Sequence, residues 1–329
     1  MLTAEALADL KSAILLPANA DELVPPPRFA AKTFSNYLTD PAIPAQGVAV
    51  ARIMAFARWR KRLRDWLRLR PVDKPGLYLD GGFGVGKTHL LAASWHAAHG
   101  VRRYLSFAEA VALVILYGAD RATALLAGDL VCIDEFELDD PANTRLIDLL
   151  LDRLIASGTR IITTSNTVPG ELGQGRFAID QFRNQVARIS ERFEDVHVPG
   201  HDHRRRLLAS DGADPVGWGT AVEPFSDGDR TAVVAAAALD QLLAEIPVVN
   251  LRRLAGRLSR LTMLDLEPFT NQHTALRFVH LVDKLYDGRV QLRVRSSAPL
   301  TGLFPEAHCQ RAFAKKYQRC TSRLVELCA

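Results

Sequence analysis

A glycine-rich segment from Gly81 to Thr88 constrains this chain more than any other feature of its sequence. It fits the pattern G-x-x-x-x-G-K-[ST] and lies between the apolar run Leu77–Leu79 and a Leu- and Ala-rich stretch from His89 to Ala98. In such a strand–loop–helix context, backbone N–H groups converge on a phosphate at the helix N-terminus. We therefore predict a P-loop, whose nucleotide-contacting residues are Gly81, Gly82, Phe83, Gly84, Val85, Gly86, Lys87, Thr88 and His89.

Two side chains of this segment have predicted chemical roles. Lys87 places a positive charge near the β- and γ-phosphates, and Thr88 supplies a hydroxyl for Mg²⁺. The sequence thus predicts ATP and Mg²⁺ as cofactors. No N-K-x-D motif for reading guanine occurs in the chain.

Polar residues follow two further apolar runs. Asp134 and Glu135 close the run Leu130–Ile133, and Asn166 ends the stretch that begins at Arg160. ATP hydrolysis needs a carboxylate that holds the metal and a group that orients the attacking water. We predict that Asp134 holds Mg²⁺ through bound water, that Glu135 acts on the attacking water, and that Asn166 senses the γ-phosphate or that water.

Apolar runs and helical patterns alternate from about residue 76 to residue 205. Such alternation predicts an α/β fold with a parallel sheet sandwiched between helices, here a P-loop NTPase core. We expect an N-terminal helical extension over 1–75 that packs on this core, and a smaller, mostly helical C-terminal domain over 206–329. The segment 283–292 repeats the helix–Gly–strand rhythm of 152–162, which indicates either a coincidence or a second sheet-forming unit.

A basic amphipathic segment lies between Arg52 and Lys74. It carries nine Lys and Arg residues, and Phe56, Trp59, Leu63 and Trp66 recur at helical spacing. The segment is compatible with contact to nucleic acid, as in a helicase loader, with contact to an anionic membrane, or with a solvated face over core aromatics. The spacing favours the last interpretation, and a formal net charge of +4 is too small to argue for nucleic acid.

The four cysteines form no C-x-x-C pair, and no apolar run approaches the ~18 residues that span a bilayer. Met1–Leu16 lacks the basic start and apolar middle of a signal peptide. We expect a cytoplasmic protein with reduced thiols.

Four segments together resemble one family. They are Gly82–Thr88, Cys132–Phe136, Thr164–Leu172 and Tyr317–Leu324. They look like the corresponding motifs of the ZapE-type cell-division ATPases and their mitochondrial AFG-one-like relatives, and the similarity runs from about Phe29 to the end. The resemblance implies an AAA+ ATPase that works as a homo-oligomer, in a hexamer-like ring, on a protein substrate. Bacterial members are tied to the FtsZ ring at constriction, which implies a location at the division site, peripheral to the inner membrane.

The resemblance implies an adenine pocket in the segment before the P-loop, for which Phe34, Tyr37 and Gln46 are the candidates. It also implies arginines that act on the γ-phosphate. For the arginine supplied by the neighbouring subunit we weigh Arg176, which lies where the family carries L-Q-R, against Arg192 at the end of the next helix; Arg188 and Arg204 stay open. Arg319 and Arg323 lie four residues apart, and Arg323 is the preferred sensor 2 arginine. Departures from the family pattern, at 102–107, 173–176 and 201–204, indicate a divergent paralogue.

Overall fold

The structure is a computed structural model that describes residues 11–329, except 13, 16, 60–73, 83, 139, 167–179, 202–213, 227 and 306–312. Two compact units make up the chain. The P-loop unit comprises the described residues of Asn19–Pro25 and Phe29–Arg206, and the C-terminal unit those of Met1–Ala18, Pro26–Arg28 and Leu207–Ala329. Among the described residues, no helix is both long enough and apolar enough to cross a membrane.

The P-loop unit alternates helices and strands along the chain. In order these are α1 (Pro44–Ala57), β1 (Gly76–Asp80), α2 (Lys87–Ala97), β2 (Arg102–Ser106), α3 (Phe107–Leu126), β3 (Leu130–Asp134), α4 (Pro141–Ala156), β4 (Arg160–Thr164), α5 (Asp180–Glu191) and β5 (Phe193–His197). The five strands pair in parallel in the order β2-β3-β4-β1-β5. The α/β prediction is therefore confirmed.

Pairing register brings three strand ends together in this sheet. Leu79 of β1 lies opposite Thr164 of β4, and Ile133 of β3 lies opposite Thr163. Because the strands are parallel, β1, β3 and β4 end at the same edge, and β4 lies between the other two. Ligands of open α/β sheets bind at this edge.

Side-chain alternation explains how the sheet is covered. Leu77 and Leu79 of β1 are fully buried in a core shared with α1 and α2. Tyr78 points to the opposite face, where its ring meets the rings of Phe136 and Phe193 edge-on. A capping box of Ser106 and Glu109 begins α3.

The C-terminal unit contains a second sheet. Its elements in chain order are β6 (Trp218–Gly219), β7 (Thr231–Ala235), α6 (Ala236–Glu245), α7 (Leu251–Gly256), β8 (Arg260–Leu264), α8 (Gln272–Asp287), β9 (Gln291–Arg295) and α9 (Ala314–Leu327). The strands pair in parallel in the order β6-β9-β8-β7. Helices make up most of this unit, as expected, and the four-stranded sheet is an addition that we did not predict.

The rhythm at 283–292 marks a genuine helix–strand unit within this second sheet. Gly288 follows α8, and β9 pairs with β8 and β6. Leu292 and Val294 of β9 are buried in the core of the C-terminal unit. Alternate burial along a strand of only five residues produces a short pattern, which explains why the sequence left the question open.

The N-terminal residues are divided between the units, whereas we expected all of 1–75 on the P-loop core. Ile14 is fully buried in the core of the C-terminal unit, and Asn250 Nδ2 donates to its carbonyl oxygen at 2.8 Å. Residues 29–59 belong to the P-loop unit. Ile14 thus anchors the described residues of the segment 11–18 in the C-terminal unit.

Candidate functional site

The P-loop joins β1 to α2 through glycines whose backbone a side chain would obstruct. Gly86 has φ 93°, and a Cβ there would lie 2.7 Å from the Tyr37 ring. At Gly81 a Cβ would lie 2.4 Å from the carbonyl oxygen of Val198. The loop therefore reaches the N-terminus of α2 in a conformation that favours glycine. Phe83 lies outside the described residues.

Lys87 is the first residue of α2, and its charge is held within the loop. Its side chain is only 8% exposed, and Nζ donates to the carbonyl oxygens of Gly81 at 2.9 Å and of Gly82 at 2.7 Å. An ammonium group at the positive end of a helix favours binding of an anion.

Asp134 at the end of β3 is the centre of a group of hydroxyl donors, which we call the Asp134 cluster: Thr88, Tyr104, Asp134 and Thr164. Thr88 Oγ1 donates to Asp134 Oδ1 at 3.3 Å, and Thr164 Oγ1 donates to the same oxygen. Tyr104 donates its hydroxyl to Oδ2 at 3.0 Å. The cluster joins the P-loop to β2, β3 and β4. Hydroxyl and carboxylate oxygens are ligands that suit Mg²⁺.

Glu135 follows Asp134 in an unusual backbone conformation. Its φ is 55°, in the left-handed region, and its N–H donates to Asp134 Oδ1 at 3.1 Å and to Thr164 Oγ1 at 3.1 Å. The next N–H, of Phe136, donates to the Thr164 carbonyl oxygen at 2.7 Å. These bonds fix the turn by which the carboxylate-bearing residue leaves the sheet.

Asn166 lies two residues beyond the end of β4 and is partly buried. The preceding Ser165 N–H donates to the Leu79 carbonyl oxygen at 2.9 Å, which ties this segment to β1. The structure therefore places Thr88, Asp134, Glu135 and Asn166 at one edge of the sheet.

Sequence reasoning missed Tyr104 and Thr164 as members of this site. Thr164 begins one of the segments that resemble the family, and Tyr104 lies in the segment 102–107 that departs from it, but the sequence indicates no role for either side chain. Only the strand order would have identified them, because β2 and β4 are the two neighbours of β3 in the sheet. That order is a tertiary property that the local pattern does not contain.

Residues assigned to an adenine pocket lie against the P-loop. Tyr37 donates its hydroxyl to the Val85 carbonyl oxygen at 2.7 Å, and Gln46 Nε2 donates to the Tyr37 hydroxyl at 3.2 Å and to the Pro199 carbonyl oxygen at 3.0 Å. Phe34 packs on the core beneath α2. Gln46 thus connects the segment before β1 to the segment after β5.

His89 joins this group from the first turn of α2. Its ring meets the Tyr37 ring edge-on at 5.2 Å, and Nε2 lies 2.9 Å from the Thr33 carbonyl oxygen, to which it donates. Burial lowers the pKa of His89 and so favours the neutral form of its ring. Its ring nitrogen is bound to protein, which favours a role in packing over one in phosphate contact.

The candidate arginines lie in different surroundings. Arg192 forms ion pairs of 2.7 Å with both Asp148 and Asp152 of α4. Arg188 lies 3.0 Å from Asp148. Arg176 and Arg204 lie outside the described residues. In the C-terminal unit, Arg319 Nη2 donates to Asp283 Oδ2 at 3.0 Å, and Arg323 Nη1 donates to Asp283 Oδ1.

The described part of the basic segment packs on the P-loop unit. Phe56 is buried, Arg52 pairs with Glu194, and the Arg160 guanidinium lies over the rings of Phe56 and Trp59 at 3.5 and 4.6 Å. Trp59 therefore already has a cationic partner within the chain. Residues 60–73 lie outside the described residues.

Comparison with known proteins gives matches over most of the chain. The family described as AFG1-like ATPase matches residues 17–217 and 228–329. The Escherichia coli (strain K12) protein named cell division protein ZapE is 26% identical over 336 residues, which cover 87% of this chain and 85% of that protein.

Other similarities are narrower. The chromosomal replication initiator protein DnaA of Sphingopyxis alaskensis is 27% identical over 189 residues, which cover 51% of this chain and 38% of that protein. A crystal structure of DnaI matches 56% of this chain and 98% of its own, with 16% identity and a TM-score of 0.39. The family match spans both units and includes the P-loop, the Asp134 cluster and Asn166. The chain belongs to the AFG1-like ATPase family and is an ATPase of the AAA+ type.

Proposed function

We propose that this ATPase hydrolyses Mg²⁺-bound ATP at the edge where β1, β3 and β4 end. The observation that carries the proposal is the Asp134 cluster, because a hydrogen bond from Thr88 to Asp134 joins the phosphate-binding loop to the acidic strand. Thr88 and Asp134 supply the hydroxyl and carboxylate oxygens that would hold Mg²⁺. When bound, the ion neutralises negative charge on the phosphates.

The remaining groups at this edge have separate roles in the proposal. Lys87 binds the β- and γ-phosphates. Glu135 orients and activates the attacking water, because it is the carboxylate next to Asp134 that the turn carries out of the sheet. Asn166 positions the water or the γ-phosphate through its amide. Tyr37 and Gln46 support the loop and border the base.

Release of phosphate by the purified chain tests this chemistry. We expect turnover with ATP that stops with EDTA, and weaker competition by GTP than by ADP. Lys87→Ala serves as the control that should lose nucleotide binding, since it removes the charged side chain that faces the phosphates. Equal competition by GTP and ADP would contradict an adenine site at Tyr37 and Gln46.

We further propose that the active form is a homo-oligomer, a hexamer-like ring, in which a neighbouring subunit supplies an arginine. Such an arginine stabilises charge in the transition state and contributes roughly 10³-fold or more to the rate. The two ion pairs of Arg192 with α4 favour Arg176 for this role. For the sensor 2 role we propose Arg323, whose Nη1 donates to Asp283 Oδ1.

Mixed oligomers test the arginine assignment. Arg176→Ala or Arg192→Ala is combined with Lys87→Ala, a subunit that has both arginines but does not bind ATP. We expect Arg176→Ala to lose hydrolysis alone and to regain it in the mixture. Arg192→Ala should hydrolyse ATP without the second subunit. The opposite pattern would assign the role to Arg192, and absence of rescue for both would remove both.

The partner is proposed to be a protein of the division machinery, the FtsZ ring, which places the ATPase at the division site beside the inner membrane. Support comes from the E. coli relative, which is named a cell division protein. The alternative, a nucleic-acid-dependent ATPase such as a helicase loader, has support from the similarity to DnaA over half of the chain. The packing of Phe56 and Trp59 within the chain weighs against it.

Three additions to one ATPase assay separate these partners. FtsZ, single-stranded DNA and anionic liposomes are each added to wild type and to Lys87→Ala. We expect stimulation of wild type by FtsZ alone, together with retention of FtsZ by Glu135→Gln in the presence of ATP. Stimulation by DNA without any response to FtsZ would favour the loader function.

A further inference from the structure

Tyr104 has a hydroxyl that the roles above do not use, although it lies in the site. The residue is on β2, away from the P-loop and the acidic turn in sequence, and its side chain is 2% exposed. A buried tyrosine hydroxyl needs a hydrogen-bond partner. Here the partner is Asp134 Oδ2, at 3.0 Å.

Strand register explains why a tyrosine at this position reaches the carboxylate. Tyr104 lies opposite Cys132, two residues before Asp134. Residues two apart point to the same face and are separated by roughly 6.6 Å along a parallel strand. A phenol ring bridges that distance, whereas phenylalanine fills the same space without a donor.

The two oxygens of Asp134 are fixed from different directions. Oδ1 accepts from Thr88 in the P-loop, from Thr164 at the end of β4, and from the N–H of Glu135, the residue that follows Asp134. Oδ2 accepts from Tyr104, on the β2 side. A carboxylate held on both oxygens is less free to rotate about its χ2 torsion. Its orientation toward a cation beside Thr88 is then set before nucleotide arrives.

We propose that Tyr104 is a positioning residue whose hydroxyl fixes the Asp134 carboxylate and thereby raises the affinity of the nucleotide site for Mg²⁺. The proposal rests on the Mg²⁺ role given above to Thr88 and Asp134. Hydrogen-bond partners of metal-ligating groups change metal affinity by 10- to 100-fold when they are removed. Loss of one neutral donor among several corresponds to the low end of that range.

The test measures binding of a fluorescent ADP analogue to Tyr104→Phe as Mg²⁺ is varied, with EDTA as the metal-free arm. We expect the Mg²⁺ concentration for half-maximal tightening of binding to rise about tenfold. The affinity in EDTA should stay within about twofold of wild type. Tyr286→Phe is the matched control, because it removes a buried hydroxyl that donates to Glu326 in the other unit.

Each result decides the matter. An Mg²⁺ dependence of Tyr104→Phe equal to that of wild type would overturn the proposal, as would an equal loss of affinity in EDTA. If wild type itself binds equally well with and without Mg²⁺, the metal role of Thr88 and Asp134 fails, and this inference fails with it. Should Tyr104→Phe not fold, Tyr104→Leu takes its place in the same titration, because leucine also lacks the hydroxyl that donates to Asp134.

Discussion

Each unit of this chain contains one carboxylate with several donors, and the two carboxylates are bound in opposite ways. Asp134 in the P-loop unit accepts hydrogen bonds from hydroxyls and a backbone N–H, and these donors are neutral. Asp283 in the C-terminal unit is bound by the guanidinium groups of Arg319 and Arg323. Hydroxyl and N–H donors bring no positive charge to a carboxylate, whereas two guanidinium groups compensate its charge.

The difference separates a binding site from a cross-link. Asp283 is on α8 and both arginines are on α9, so their ion pairs join two helices. Burial opposes ionisation of Asp283, yet Arg319 and Arg323 lower its pKa to about 2. We therefore expect changes at Asp283 to affect stability first, and changes beside Asp134 to affect catalysis first.

Asp283→Ala should give the largest effect, a loss of stability of the folded protein. A small loss would contradict the structural role that the comparison gives to Asp283. It leaves two buried arginines without their anion, which costs about 3–5 kcal/mol of unfolding free energy. Urea unfolding measures the loss. Asp120→Ala is the control, because the Asp120–Arg153 pair is exposed and should contribute below about 1 kcal/mol. Equal losses in the two variants would contradict the cross-link.

Glu135→Gln tests the other side of the comparison. Turnover should fall by about 10²- to 10³-fold, because the amide is a poor base, while ATP affinity stays within about threefold. Urea unfolding should change little, in contrast to Asp283→Ala. Steady-state phosphate release and binding of a fluorescent nucleotide give the two quantities. A loss of binding as large as that of Lys87→Ala would show that the two residues do not have separate roles.

Acid should destabilise the C-terminal unit in two stages. Burial lowers the pKa of His280 to about 4 in the folded protein. Because His280 takes up a proton at a higher pH in the unfolded chain, the free energy of unfolding falls as the pH drops from about 6.5 to 4. Asp283, with its lowered pKa, contributes stability that is present above about pH 4 and lost toward pH 2, amounting to about 2 kcal/mol. Charged groups facing His280 are Asp283, Lys316, Arg319 and Lys284.

Unfolding of wild type and His280→Gln at a series of pH values isolates the first stage. The stability of wild type relative to the variant should decrease between pH 6.5 and pH 4 and stay constant above pH 7.5. A difference that does not vary with pH would show that His280 titrates normally in the folded protein.

Asn166→Ala should give the smallest of these effects, and it tests whether Asn166 takes part in the chemistry at the sheet edge. We expect turnover to fall roughly tenfold, less than the 10²–10³ typical of a buried transition-state donor, because Asn166 is partly exposed. Affinity for ATP should stay near that of wild type. Unchanged turnover would make Asn166 a turn residue without a part in the chemistry.

Residue pattern predicted the parts of this site that depend on local sequence. The P-loop letters stand between a strand and a helix, and Asp134, Glu135 and Asn166 each follow an apolar run, so one sheet edge collects them. Tyr104 and Thr164 were missed, because their contacts with Asp134 depend on which strands are neighbours. Likewise Arg319 and Arg323 were recognised as sharing a helix face, but their common partner lies 36 and 40 residues away in sequence.

The left-handed backbone of Glu135 has a consequence for the evolution of this fold. A residue with a side chain is strained in that conformation, at a cost on the order of 1–3 kcal/mol, and glycine would relieve it. The bonds from its N–H to Asp134 and Thr164 keep the turn in place despite this strain. Relatives of this ATPase that have lost activity are therefore expected to carry glycine at position 135 more often than active ones. Glycine at this position would then distinguish inactive from active relatives.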